Sequence, residues 1–147
     1  MRPEEKPGMA KRRVLSGRVK KKGEIMEQKK LSECEAVIMR ILWEEDCDMS
    51  MRELMDEAAD RYGKVWAKQT VTTFLKRMTD EGYVSMYREG RIFYYHAEIK
   101  AKNYLGEEVV NFCKTWFDGD VADMMEAYMK KKKLTPKQKK RLMDLLS

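Results

Sequence analysis

Apolar residues recur at helical spacing in three consecutive segments between residues 31 and 82. The stripe of the first segment consists of Val37, Ile38, Ile41 and Leu42. The second stripe consists of Met51, Leu54, Met55 and Ala58, and the third consists of Val71, Phe74, Leu75 and Met78. Residues three and four positions apart lie on one face of a helix, so each segment predicts an amphipathic helix with one buried side.

Capping residues mark where these helices begin. A Ser or Thr followed three residues later by Glu or Gln occurs at Ser32–Glu35, Ser50–Glu53 and Thr135–Gln138. In this capping box each side chain bonds the backbone N–H of the other residue, so all three places predict a helix start. The first helix is expected to end near Glu45 and the second at Gly63. The third is predicted over Ala67–Glu81, with Gly82 after it.

The outer face of the third helix is the first candidate for chemistry. Gln69, Thr72, Thr73 and Lys76 share helical spacing on the side opposite the apolar stripe, and Lys68, Thr70 and Arg77 flank them. Solvated helix faces usually mix acidic and basic residues, whereas this face carries amide, hydroxyl and ammonium groups and no acid. Such groups can hydrogen-bond base edges or phosphates.

A β-hairpin is predicted directly after the third helix. Residues 83–87 and 92–95 are rich in aromatic and β-branched side chains, and Arg88-Glu89-Gly90-Arg91 lies between them as a turn. Three short helices followed by a hairpin predict a winged helix-turn-helix, in which the third helix enters the major groove of DNA. Arg88 and Arg91, at the tip of the wing, suit phosphate contacts.

The chain is predicted to be helical again from residue 101. Its apolar positions include Leu105, Val109, Phe112, Trp116, Met124, Tyr128, Leu142 and Leu145. A segment of about 45 residues cannot bury this much apolar surface by itself. We therefore expect these residues to form the interface of a two-fold homodimer. The expected fold class is mainly α with a small β-hairpin: a winged helix-turn-helix domain over 31–100 and a helical dimerisation region over 101–147.

Charge divides the chain into alternating blocks. The formal net charge is +6, but residues 1–30 hold 11 basic and 4 acidic groups, and residues 128–147 hold 8 basic and 1 acidic group. Two acidic stretches, 31–63 and 92–127, separate these blocks from the basic stretch 64–91. Basic blocks favour a polyanionic partner, although many are only solvated. Residues 1–30 are too polar to form a core and are expected to be a disordered tail, either a nucleic-acid-binding arm or a dispensable extension.

Several functional classes are disfavoured by composition. No apolar run reaches the length of a membrane span, and the N-terminus lacks the apolar region of a signal peptide. The chain has a single histidine, His96, which we expect to be structural, and its three cysteines lack metal-type spacing. No phosphate loop, nucleophile elbow or metal constellation is present. We expect a cytoplasmic non-enzyme with no catalytic residues, no metal, no cofactor and no membrane partner.

The combined motifs resemble the penicillinase-repressor family of bacterial winged-helix regulators. The resemblance is carried by Leu31-Ser32-x-x-Glu35 with Trp43, by Trp66 to Arg77 with Gly82, and by Arg88-Glu89-Gly90-Arg91-x-Phe93-x-Tyr95. It implies a dimeric repressor on a palindromic operator of double-stranded DNA, with the C-terminal helices as the dimer interface. The implied DNA-binding residues are Lys68, Gln69, Thr70, Thr72, Thr73, Lys76, Arg77, Arg88 and Arg91.

Three departures from the family pattern change the expectation. Ala67 and Lys68 stand at the start of the third helix, where the family often has a capping Ser. Antibiotic-responsive members are inactivated by a sensor protease at an Asn–Phe bond, and the matching pair here is Ala127-Tyr128, which argues against induction by that protease. Copper-responsive members end in paired cysteines, whereas this chain ends in Leu145-Leu146-Ser147, which argues against copper sensing.

The sequence therefore predicts a sequence-specific DNA-binding transcriptional regulator, most simply a dimeric repressor. Two alternatives from other classes stay open. One is a winged-helix module that binds protein, and the other is a protein that associates with DNA without sequence preference. Salt separates DNA binding from protein docking, because phosphate contacts release counterions and lose affinity steeply as salt rises.

Overall fold

A computed structural model describes residues 30–147, and the disordered tail predicted over residues 1–30 lies outside these residues except for Lys30. The elements are α1 Glu33–Glu45, β1 Met49–Ser50, α2 Met51–Tyr62, α3 Lys68–Asp80, β2 Val84–Glu89, β3 Ile92–Ala97, α4 Ala101–Phe117, α5 Val121–Lys131 and α6 Pro136–Leu146. The described chain divides into two compact units, one ending at Ala101 and the other comprising Lys102–Ser147. The mainly helical winged-helix fold is confirmed, and the first unit has the α1-β1-α2-α3-β2-β3 order of that fold.

Three of the helices begin with the predicted capping boxes. In α1, Glu35 N–H donates to Ser32 Oγ at 3.2 Å and Ser32 N–H donates to Glu35 Oε1 at 2.8 Å. The same reciprocal pair starts α2 and α6. At α3 the residue before the helix is Ala67, which has no side chain that can cap it. The starts of α1, α2, α5 and α6 each have a side-chain capping bond, and that of α3 has none.

A three-stranded antiparallel sheet, rather than a lone hairpin, packs against these helices. The strand order is β1-β3-β2, and Met49 pairs with Tyr95. No pattern in the sequence predicts β1. The hairpin is also longer than predicted: Arg88 and Glu89 continue β2, and Glu89 pairs with Ile92. The turn is therefore only Gly90-Arg91, with Gly90 at a φ of 65°, a conformation that favours glycine.

The core of the first unit joins all three helices to the sheet. Ile38 of α1, Leu54 of α2 and Leu75 of α3 are almost completely buried, and Tyr83 and Tyr87 close the core from the hairpin side. The apolar stripes of α1, α2 and α3 thus pack against one another and the sheet within the same unit. Removal of this much apolar surface from water is what makes the unit a folded domain.

Polar contacts fix the wing to the helices. Asp48, which is buried just before β1, accepts a hydrogen bond from Tyr87 Oη at 2.8 Å. Its other oxygen lies 2.7 Å from Nδ1 of His96 on β3, so His96 has a structural partner. Trp43 of α1 donates its Nε1–H to the carbonyl of Ile99 at 2.8 Å. These bonds hold both strands of the wing, and the chain that follows them, in a defined place.

The second unit buries far fewer of its apolar side chains than the first. Its helices α4, α5 and α6 are all described, and the one apolar residue in them that is fully buried is Cys113. Large apolar side chains that remain 47% exposed or more include Leu105, Val109, Phe112, Trp116, Tyr128 and Leu145, while Met124 and Leu142 are partly buried. Between α5 and α6, a groove of about 310 Å³ is lined mainly by apolar residues, among them Met125, Tyr128, Leu134, Leu142 and Leu145. None of the described helices is long and apolar enough to cross a bilayer.

Candidate nucleic-acid interface

The outer face of α3 is built by the burial of its inner face. Val71, Leu75 and Met78 are buried in the core, so the helix cannot rotate about its axis without exposing them. Six predicted site residues then lie exposed on the outer side: Lys68, Gln69, Thr70, Thr72, Thr73 and Lys76. No acid lies among them, and the first acid on the helix is Asp80. This face presents hydrogen-bonding groups and positive charge to solvent.

The two central threonines are fixed by their own helix. Thr72 Oγ1 donates to the carbonyl of Lys68 at 2.9 Å, and Thr73 Oγ1 donates to the carbonyl of Gln69 at 3.0 Å. Each hydroxyl proton is therefore used in a hydrogen bond to the backbone, while the hydroxyl oxygen keeps lone pairs that can accept a hydrogen bond from a ligand. In the major groove these threonines can accept from the amino groups of adenine or cytosine, and their methyl groups suit thymine.

The two exposed lysines of α3 differ in what surrounds their ammonium groups. Lys68 lies in the first turn, at the positive end of the helix dipole, with no side chain capping that end. Lys76 Nζ lies 3.3 Å from Oδ2 of Asp80, but both side chains are well exposed. An exposed pair of this kind contributes little and exchanges readily for a stronger anion. Both lysines are thus free to meet a phosphate.

Arg77 is placed differently from its neighbours on α3, because its guanidinium is hydrogen-bonded within the domain. Its guanidinium hydrogen-bonds Glu35, the buried capping-box residue of α1, and donates from Nη2 to the carbonyl of Lys30 at 3.1 Å. Burial opposes ionisation of Glu35, but the hydrogen bonds from Arg77 and Ser32 outweigh it and lower the pKa of that carboxyl below its usual 4.5. The hydrogen bond to Glu35 also raises the pKa of Arg77. Arg77 thus joins α3 to α1, while 38% of its side chain remains exposed.

The wing carries the remaining predicted site residues. Arg88 donates from Nε to the carbonyl of Gly90 at 2.7 Å, which folds its side chain over the turn. Arg91 is exposed at the tip, with no ion pair or hydrogen bond from its side chain to any described residue. Arg88 therefore stiffens the turn through its Nε–H, and the side chains of both arginines remain exposed and able to meet a phosphate.

Two arrangements in this region were not predicted from the sequence. The pairing of Glu35 with Arg77 joins residues 42 positions apart, and that of Asp48 with Tyr87 joins residues 39 positions apart. Local periodicity contains no information about such distant partners. A signal did exist for Arg77, because it lies at the border between the apolar stripe and the outer face of its helix rather than at the centre of that face.

Comparison with known proteins places most of this chain in a known family. The sequence profile of the penicillinase repressor family matches residues 31–147. A similar protein is the penicillinase repressor of Bacillus licheniformis, which is 22% identical over 116 residues, or 79% of this chain and 88% of that protein. The profile match begins at residue 31, just before the N-cap of α1.

Solved structures give similar chains. The solution structure of the DNA-binding domain of the repressor BlaI has a TM-score of 0.46 and 24% identity, covering 54% of this chain and 94% of that one. The solution structure of monomeric Bacillus licheniformis BlaI in complex with the blaP half-operator has a TM-score of 0.44 and 24% identity. It covers 53% of this chain and 92% of that one.

Proposed function

This chain belongs to the penicillinase repressor family, and we propose that it is a DNA-binding transcriptional repressor that acts as a homodimer on a palindromic operator. The observation that carries the proposal is the outer face of α3, where exposed amide, hydroxyl and ammonium groups lie together without an acid. The known relatives named as penicillinase repressor and BlaI support the same function.

In this proposal α3 lies in the major groove and different side chains have different tasks. Gln69, Thr72 and Thr73, at the centre of the face, contact base edges and supply sequence preference. Phosphate contacts come from the flanking positions and the wing, namely Lys68, Thr70, Lys76, Arg88 and Arg91. Arg77 is left out of the interface, because its guanidinium binds Glu35.

The homodimer is proposed from the exposed apolar surface of the second unit. Its interface comprises Leu105, Val109, Phe112, Trp116, Met124, Tyr128, Leu142 and Leu145, most of which are half exposed or more in the single chain. A two-fold pairing of this surface would bury it and would present two α3 helices to a palindrome. The proposed division of labour is DNA binding by residues 31–100 and dimerisation by residues 101–147.

Two further points complete the proposal. A repressor meets its DNA in the cytoplasm, where we place this protein. The family's sensor protease is not proposed as a partner, because Ala127-Tyr128 lies within α5 at the position where the family has its Asn–Phe bond.

The direct test compares operator binding with binding to scrambled DNA. A duplex from upstream of the protein's own gene and a scrambled duplex of equal length are titrated at about 0.15 M salt, because lower salt inflates non-specific binding. We expect a preference of about a thousandfold or more for the native sequence. Equal affinity for both duplexes would contradict a site-specific repressor. It would favour a non-specific DNA-associated protein or, where salt also has little effect, a protein-docking module.

A pair of substitutions then tests the assignment of α3. Thr72→Ala and Thr73→Ala are each expected to cost about 1–3 kcal/mol of operator affinity if the threonines read bases. The matched control is Thr115→Ala, which removes an exposed threonine from α4. Unchanged affinity in both α3 variants, or an equal loss in the control, would remove α3 from the interface.

A further inference from the structure

A second concentration of positive charge lies far along the chain from α3. Eight of the twelve residues from 130 to 141 are Lys or Arg, none is acidic, and all eight are exposed. We call this set the α5–α6 basic surface; it consists of Lys130, Lys131, Lys132, Lys133, Lys137, Lys139, Lys140 and Arg141. The proposed function of α3 and of the dimer interface assigns it no role.

Most charges of this surface lack the acidic partner that some cations on other helices have. On other helices Arg61 lies 2.7 Å from Glu57, and Lys76 lies 3.3 Å from Asp80. Within the α5–α6 basic surface, Lys130 lies 3.2 Å from Glu126. The other seven have no acidic group within 4.0 Å anywhere in residues 30–147. Like charges are thus gathered on adjacent turns without compensation, which is unfavourable for the free protein.

The helix dipole of α6 adds to the unfavourable electrostatic energy of these like charges. The helix begins at Pro136 behind a capping box, and its first turn contains no acid. Lys137 lies in that turn and Lys139 follows immediately, so their charges face the positive end of the helix dipole. Acidic residues are the favourable choice at this position. A helix start that collects cations instead is an arrangement that gains stability when a polyanion binds.

We propose that the α5–α6 basic surface binds the phosphate backbone of double-stranded DNA, as a second contact separate from that of α3. This proposal rests on the proposed function, because it assumes that DNA is the polyanion the protein meets. Seven of the eight residues are lysines, which act as point charges toward phosphates and do not read base edges in the bidentate manner of arginine. The contact therefore adds affinity without sequence preference.

DNA is favoured over an anionic membrane by where the apolar residues of α6 lie. Membrane-surface helices carry their basic residues beside an apolar face that enters the lipid. In α6, Leu142 and Leu145 instead line the groove shared with Met125 and Tyr128 of α5. Within residues 130–141 the one large apolar side chain is Leu134, which is partly buried and lines the same groove, while the exposed Met143 and Leu146 lie beyond this run. The lysines of the basic surface thus have no exposed large apolar side chain among them that could enter lipid.

The test removes charge in two places and compares the result with a matched control. Two triple variants of the full chain are made, Lys131→Gln/Lys132→Gln/Lys133→Gln and Lys137→Gln/Lys139→Gln/Lys140→Gln. The control is Lys100→Gln/Lys102→Gln/Lys114→Gln, which changes net charge equally at exposed positions outside the surface. Each protein is titrated with operator and scrambled duplexes of about 40 base pairs at several salt concentrations.

At least one triple variant is expected to lower the slope of log K against log salt by about two to three, because each phosphate contact contributes roughly 0.9. The control is expected to change the slope by less than about one, and the operator-to-scrambled ratio is expected to stay the same. Slopes in both triple variants that match the control would overturn the proposal.

Two further readouts separate this proposal from its rivals. Vesicles of phosphatidylglycerol are offered at the same ionic strength. Vesicle binding that both triple variants lose, with DNA slopes equal to the control, would assign the surface to membranes and overturn the DNA contact. If the wild-type chain shows no operator preference, the proposed function fails. The slopes on scrambled duplex still decide whether the basic surface binds DNA.

Discussion

The two units of this chain use apolar residues in opposite ways. In residues 30–101 the apolar stripes meet one another, and Ile38, Leu54 and Leu75 are almost fully removed from water. In residues 102–147 three well-formed helices leave Val109 and Trp116 more than half exposed. Helix formation is equally clear in both units, so regular secondary structure alone does not show where a chain has its own core.

The difference indicates what each unit needs in order to be stable. The first unit has the closed sheet-and-helix core of an independent domain. The second is too small to bury its apolar surface internally, and the simplest way to cover that surface is association with a second copy. We therefore expect the first unit to unfold independently of protein concentration and the second to depend on it.

The largest expected effect on folding is the loss of a core side chain from the first unit. Ile38→Ala leaves a cavity in the fully buried centre of α1 and is expected to lower the free energy of unfolding by about 2–5 kcal/mol. The matched control is Ile92→Ala, because Ile92 is 51% exposed on the wing. Denaturant unfolding of the two variants measures the difference. An equal loss in both would mean that the core is misassigned.

The next largest effect is expected on dimerisation through the second unit. Trp116 is 70% exposed in the single chain, so Trp116→Ala should barely change the fold of one protomer. If it is an anchor of the dimer interface, its loss weakens the dimer by about 2–4 kcal/mol. Sedimentation over a range of low concentrations measures this, with Lys114→Ala on the same helix as the control. A variant that remains fully dimeric at the same concentrations as the wild type would rule out this interface.

Substitutions of two neighbouring residues on α3, Arg77 and Lys76, are expected to affect stability and DNA binding differently. Arg77→Met leaves the buried carboxylate of Glu35 without its guanidinium and is expected to cost about 1–3 kcal/mol of stability. Lys76→Met removes only an exposed pair with Asp80 and is expected to change stability by about 0.5 kcal/mol or less, while it weakens DNA binding. If Arg77→Met weakens DNA binding without loss of stability, and Lys76→Met lowers stability instead, Arg77 belongs to the interface.

The effect of pH sharpens the Arg77 prediction. The folded-state pKa of Glu35 lies below its usual 4.5, so its ionised form stabilises the fold above that pH. As the pH falls through the lowered pKa, Glu35 is protonated and this contribution is lost. The gap in unfolding free energy between wild type and Arg77→Met should therefore be full at pH 7 and shrink as the pH falls below about 4.5. A gap that does not change with pH would mean that the ion pair contributes nothing.

The elements that the sequence predicts correctly are those with local determinants. The helix starts at Ser32, Ser50 and Thr135 follow from residues three positions apart, and all three capping boxes are present. The strand β1 has only two residues and exists because it pairs with β3, more than forty positions later. Such a short segment has no pattern of its own, so its strand could not be predicted.

The candidate site was predictable to a similar extent. The exposed face of α3 follows directly from its apolar stripe, which is why Gln69 and Thr73 are where they were expected. The role of Arg77 depends on a carboxylate in another helix, and the hydroxyl direction of Thr72 depends on competition between solvent and its own backbone. Neither can be read from the spacing of residues on one helix.

The smallest expected effect tests the start of α3 itself. Ala67 occupies the N-cap position with φ −69° and ψ 150°, which is the backbone conformation that a capping serine adopts at Ser32 and Ser50. Ala67→Ser therefore needs no rearrangement and is expected to raise stability by about 0.5–1 kcal/mol in thermal or denaturant unfolding. Ala67→Val is the control, because it changes size at the same exposed position without adding a cap. A serine variant no more stable than the valine variant would show that the backbone amides of this first turn gain nothing from a side-chain acceptor.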